Sequence, residues 1–127
     1  MIFIIATHGS MASGTFDTIN FIIGDRRKFF VVDCYKPESE SIEQTITDIV
    51  ENSDEKLLVF TDICYGSVNR EVMTALRGKD AYIITDFNLS MILELALMND
   101  DDINEDIIKE CIENGKKQVH FFNMKEL

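Results

Sequence analysis

Met1-Ile-Phe-Ile-Ile-Ala-Thr-His-Gly-Ser10 decides how this chain is read. An apolar run passes directly into Thr7, His8 and Gly9, and a helical pattern begins at Ser10 or Met11. An apolar run this short, ending in small and polar residues, reads as a buried strand of a parallel sheet. Its polar residues then fall at the strand's carboxyl end, where open α/β sheets place their chemistry. His8 is one of only two histidines and stands at that edge, so it reads as the reactive residue.

Outward from this stretch, strand patterns alternate with helix patterns. Strands are expected at 2–7, 29–33, 57–61 and 81–85, with a last one at Gln118–Phe122. The first helix spans Ser10–Ile23, with Met11, Phe16, Ile19 and Ile23 at near-helical spacing and Gly24 as its stop. Ser41 caps a second helix through Val50, with Ile42, Ile46, Ile49 and Val50 on one face. A third runs from about Val68 to Leu76, closed by Gly78. A fourth follows the turn at Asp86–Ser90 and runs to about Met98. Asp100-Asp101-Asp102 breaks it and starts a fifth, Ile103–Asn114, which Gly115 ends. Aspartates at a helix start are favoured by the helix dipole, which accounts for this run better than a cation site does. The alternation predicts an α/β three-layer sandwich with a mostly parallel sheet and helices on both faces. No repeat or linker interrupts it, so residues 1–127 read as a single domain.

Composition narrows the function. Of 127 residues, 46% are hydrophobic, which opposes disorder. The net charge of −11 argues against nucleic acid or anionic membrane as partners, since both are bound through positive charge. A basic protein partner fits better. No stretch approaches the roughly 20 apolar residues of a membrane span, and no basic segment precedes the first apolar run. Cys34, Cys64 and Cys111 are odd in number and widely spaced, as for reduced thiols in the cytoplasm, and they form no zinc-ligand pattern.

Two strand ends carry unusual polar groups: Thr7-His8-Gly9-Ser10 and Thr61-Asp62, the latter followed by Cys64-Tyr65-Gly66-Ser67. With the doubly wound order 2-1-3-4, these strands are neighbours at the switch point, and His8 faces Asp62 across one crevice. A carboxylate bonded to one ring nitrogen fixes the imidazole tautomer and leaves the other nitrogen available as a nucleophile. Gly66 and Ser67 precede a helix, where backbone N–H groups and the dipole favour an anion such as phosphate. Gly9 lets the backbone come close. His120 has no such setting and reads as structural or exposed.

The order and spacing of these residues resemble the mannose-family IIA proteins of the bacterial phosphoenolpyruvate-dependent sugar phosphotransferase system. The match begins with Thr7-His8-Gly9, Ala12, Gly14 and Ile23-Gly24. It continues through Phe60-Thr61-Asp62 and Gly66-Ser67 to Asn88-Leu89, Met91-Ile92 and Glu94, and more loosely to Glu113, Gly115 and Lys116. The resemblance implies a cytoplasmic phosphocarrier. His8 would accept a phosphoryl group from phosphorylated HPr and pass it to a separate IIB component of a sugar permease. Asp62 would orient the histidine, and Thr7, Gly9, Gly66 and Ser67 would line the phosphate site, with no metal or cofactor. It also implies a homodimer, with Gln118–Phe122 as an edge strand exchanged between subunits.

The chain departs from the family pattern at Tyr65 and Asp86, where glycine is usual, and at Val68 and Ser90, where proline is. A related alternative has the same chemistry with another acceptor, the phosphotransferase subunit feeding dihydroxyacetone kinase. A non-catalytic binding module that kept the fold is a third reading. A fourth rests on Cys64 and Arg70, which have the C-x5-R spacing of cysteine phosphatases, where a thiolate attacks and an arginine clamps the phosphate.

Overall fold

The structure, a computed structural model, describes all residues 1–127. Ten elements follow one another: β1 (Ile2–His8), α1 (Met11–Ile23), β2 (Phe29–Cys34), α2 (Ile42–Glu51), β3 (Leu57–Thr61), α3 (Ser67–Ala75), β4 (Ala81–Thr85), α4 (Leu89–Ala96), a 3-10 turn (Asp100–Asp102) and α5 (Glu105–Lys116). The four strands form one parallel sheet in the order β2-β1-β3-β4. The chain therefore has the expected α/β fold and strand order. It divides into two compact units, Met1–Phe87 and Asn88–Leu127.

In the first unit the two central strands, β1 and β3, are paired on both sides. That explains their near-continuous apolar sequences, since both faces are covered; Phe3, Ile4, Ile5 and Ala6 are fully buried, as are Leu58, Val59 and Phe60. The edge strands β2 and β4 are only partly buried. Alternate residues serve opposite faces. Ile4, Ala6 and Val59 pack with Ile42 and Ile46 of α2 and Val68 and Val72 of α3. On the other face Phe3 meets Phe29 and Phe60, Phe16 of α1 meets Phe29, and Phe60 meets Phe87. The sheet thus carries helices on both faces within this unit alone. Register places Ala6 beside Thr61, and His8 beside Cys34, so the strand ends that carry polar residues finish together.

In the second unit, Asn88 caps α4 by accepting the Met91 N–H at 3.1 Å, and its Nδ2 donates to the Gly115 carbonyl at 2.8 Å. Asn104 caps α5 by accepting the Ile107 N–H. The fifth helix therefore starts later than Ile103, because the three aspartates form a separate 3-10 turn and Asn104 supplies the cap. Gly115 corrects its expected role. It lies buried inside α5, where an added Cβ would overlap Met91 Cγ and approach Asn88 Oδ1 to 3.2 Å. It is a close-packing residue rather than a helix stop, and overfilling it would cost about 1–3 kcal/mol.

The expected last strand does not form within the single chain. Residues 118–122 form no strand. Val119, Phe121 and Phe122 are exposed there. The alternation of polar and apolar residues suits a strand, but the segment has no strand partner.

Candidate functional site

The carboxyl ends of β1 and β3 bring His8 and Asp62 together as the sequence predicts. His8 Nδ1 lies 2.8 Å from Asp62 Oδ2, and the His8 backbone N–H donates to that same oxygen, also at 2.8 Å. Asp62 only accepts, so the ring proton belongs on Nδ1 and the lone pair on Nε2. Nε2 lies 3.1 Å from Ser67 Oγ, whose hydroxyl can donate to it. The imidazole is about half exposed while the carboxylate is nearly buried. The arrangement is a nucleophilic nitrogen open to an incoming group, with a fixed negative charge behind it to stabilise the cation that forms on attack. Asp62 Oδ1 is buried without a partner.

Each neighbour has a structural cause. Gly9 takes φ +57° so that the chain turns sharply from β1 into α1, and its N–H donates to the Cys34 carbonyl at 2.9 Å. Gly66 packs so tightly that a Cβ would stand 3.0 Å from the Ile63 carbonyl oxygen and 3.8 Å from His8 Cε1. Ser67 opens α3, whose capping residue Gly66 supplies no side-chain hydrogen bond. The first N–H groups of that helix are therefore left for another acceptor.

Two expected phosphate ligands sit differently. Thr7 is fully buried; its hydroxyl accepts the Ala12 N–H at 2.7 Å and donates to the His8 carbonyl at 3.1 Å. It ties the β1–α1 turn rather than facing the site. The Gly66 N–H donates to the Ile63 carbonyl at 2.9 Å, so it closes the turn instead of reaching outward. Of the predicted set, His8, Asp62 and Ser67 come together directly, Gly9 and Gly66 shape the turns, and Thr7 supports from below.

Two residues at the site, Asn69 and Tyr35, escaped the sequence, and Asp86, a departure from the family pattern, joins them. Asn69, almost wholly buried, accepts the Tyr65 N–H and donates to Thr61 Oγ1 at 2.9 Å. It fixes the loop between β3 and α3, and its only signal was a polar residue on an otherwise apolar helix face. Tyr35 packs its ring against His8, centroids 5.3 Å apart. Asp86 adopts φ +55°, and its N–H donates to the Thr61 and Asp62 carbonyls. Tyr65 likewise stands at φ +59°. Both positions where the family pattern has glycine, 65 and 86, are thus left-handed backbone, where a side chain is strained.

Burial, helped by the nearby carboxylates of Asp62, Glu71 and Asp33, pushes the Cys34 thiol up to about 11. Cys34 is therefore inert behind the site. Cys64 is exposed, but the loop after it does not form a phosphatase cradle. The Tyr65 and Gly66 N–H groups that would have to face the phosphate are donated to Asn69 Oδ1 and the Ile63 carbonyl.

A histidine on β1, buttressed by a carboxylate from β3 and facing a helix start, forms an open polar site at the carboxyl edge of a parallel α/β sheet. The model of the family "PTS system fructose IIA component" matches residues 2–114, and the chain belongs to that family. A Klebsiella pneumoniae subsp. pneumoniae protein, provisionally described as a phosphoenolpyruvate-dependent sugar phosphotransferase system permease, is similar in structure, with a TM-score of 0.84 and 26% identity over 98% of this chain and 93% of that one. A IIA protein associated with the fucose utilization operon of Streptococcus pneumoniae gives 0.76 and 25% over 98% and 93%. The mannose/sorbose specific IIA subunit from Enterococcus faecalis shares the fold, with 0.77 and 19% over 95% and 93%. No curated protein matches the chain.

Proposed function

We propose that this protein is a phosphocarrier of a sugar phosphotransferase system, with His8 as the phosphorylated residue, HPr as donor and a IIB component as acceptor. The observation that carries the reading is the pair of 2.8 Å contacts from Asp62 Oδ2 to His8, one to the ring and one to the backbone. Together they turn Nε2 outward as the nucleophile. In the transfer, the Nε2 lone pair attacks the phosphorus of the donor's phosphohistidine, and the donor's P–N bond breaks. The imidazolium so formed keeps its proton on Nδ1 and donates it in a hydrogen bond to Asp62 Oδ2. Ser67 swings its hydroxyl from Nε2 to a phosphoryl oxygen, and the free N–H groups opening α3 take up the remaining charge. Such a transfer needs mainly positioning and charge stabilisation, and a half-exposed ring suits exchange between proteins. The acidic surface suits a basic donor. No helix is long and apolar enough to cross a membrane, and the carrier works in the cytoplasm in this reading. The homodimer implied by the resemblance gives the exposed 118–122 segment a place to pair.

The test is phosphoryl transfer from phosphoenolpyruvate with the general phosphotransferase enzyme and HPr supplied, followed as acid-labile mass on the intact chain. Wild type and Cys64→Ala take up one phosphoryl group and His8→Ala takes up none. Label persisting on His8→Ala refutes the assignment, and loss of function on removing the Cys64 thiol would favour the phosphatase reading.

A further inference from the structure

We propose that Tyr35 is a positioning residue of the carrier site: its ring packs against the His8 imidazole and shields the phosphoryl group from water. This rests on the phosphocarrier reading and adds a residue to it. The rings lie 5.3 Å apart with planes inclined at 48°, within the range where aromatic pairs attract. The imidazole then has three neighbours: Asp62 at Nδ1, Ser67 at Nε2 and the tilted ring of Tyr35, which is itself exposed on its outer side.

Two features show that the placement is built in. Tyr35 stands at φ +62°, a conformation that is strained for a bulky residue and that glycine would take freely. The backbone on either side of it is also held. The Cys34 carbonyl before it accepts the Gly9 N–H, and the Lys36 N–H after it donates to Ser39 Oγ at 3.1 Å, whose hydroxyl returns to the Asp33 carbonyl at 2.6 Å. The Tyr35 hydroxyl donates to Glu71 Oε1 of α3 at 3.3 Å. A strained backbone that delivers an aromatic ring to a reactive group is characteristic of functional sites.

The reaction the ring opposes is hydrolysis. A water oxygen bonds to phosphorus as the P–Nε2 bond breaks; inorganic phosphate leaves, and Nε2 recovers its lone pair. A ring against the imidazole removes one approach for that water and narrows the rotation of the ring.

Tyr35→Gly relieves the left-handed strain while deleting the ring, so it tests the ring without weakening the loop's backbone. Tyr35→Phe keeps the ring and breaks only the bond to Glu71. With the full chains phosphorylated as above and freed of donor, the half-life of the acid-labile phosphate in Tyr35→Gly is expected to fall about three- to tenfold, the scale of one aromatic pair, with Tyr35→Phe within about twofold of wild type. Equal half-lives in all three overturn the shielding. A second readout needs no phosphate: the His8 Cε1 proton shift by NMR. Tyr35→Gly is expected to move it by the loss of the ring current, and an unchanged shift overturns the contact. If no chain takes up phosphate, the carrier reading fails and with it the shielding, while the shift still decides whether the ring packs against His8.

Discussion

The two ends of the sheet differ in a way that pocket volume alone would misrank. At the amino end lies a cleft of about 520 Å³ lined by Ile2, Arg26, Arg27, Lys28, Phe30 and Ile49, among others. It is roomy enough for a small ligand. The carboxyl end, where His8 stands, offers a half-exposed ring on a nearly buried carboxylate. Yet the carboxyl end holds the convergent hydrogen bonds and the left-handed residues Tyr35, Tyr65 and Asp86, whereas the cleft's acids are already engaged: Asp48 accepts from Gln44, and Glu55 pairs with the Met1 ammonium at 2.8 Å. The difference teaches that preorganised polar groups can gather at an open edge, while the larger hollow elsewhere holds no such convergence.

Substitutions can break or sharpen this contrast. The largest effect is expected for Asp62→Asn, which keeps the shape but removes the charge behind the ring; phosphoryl uptake by His8 should slow about 10- to 100-fold, the scale of a hydrogen bond to a charged group. Ser67→Ala should slow it about two- to tenfold, since one neutral hydrogen bond is lost. Quenched-flow transfer from HPr measures both, and unchanged rates would remove these groups from the site. Tyr65→Gly and Asp86→Gly should each raise stability in urea unfolding by up to about 1 kcal/mol, because relief of left-handed strain is partly offset by the freer unfolded chain. A loss of stability would mean their side chains hold the edge together. The smallest effect belongs to the other end: Arg26→Ser with Lys28→Ser should leave uptake within about twofold of wild type, as expected for surface changes remote from a site. A tenfold loss there would join the two ends that the comparison separates.

Much of this was legible in sequence. The strands β3 and β4 fall where their apolar runs predict, and β1 and β2 extend one residue further, through His8 and Cys34. Buried central strands advertise themselves because both faces must be apolar. The pairing of His8 with Asp62 followed from the strand order, since only neighbours can converge at a switch point. What stayed hidden depends on backbone angles and on who occupies a bond. Sequence cannot say that the Gly66 N–H is spent on Ile63, that Thr7 turns inward, or that residues 35, 65 and 86 are left-handed where glycine is absent. Gly115 was misread because a glycine near a helix end suggests a stop, and only the neighbouring Met91 reveals it as a packing site. Residues 118–122 carry a strand-like alternation, but a strand exists only where an edge receives it.

The loop after β3 is pinned at both ends and bare in the middle. Asp62 is tethered through its carbonyl by Thr85 Oγ1 at 3.1 Å and the Asp86 N–H at 2.7 Å, and Tyr65 and Gly66 are fastened by Asn69 and Ile63. Between the pins, the side chains of Ile63, Cys64 and Tyr65 are exposed. Variation can therefore fall on those three side chains without turning the aspartate away from its histidine. A lineage built on this loop is free to change its outer surface while the histidine and aspartate stay in place.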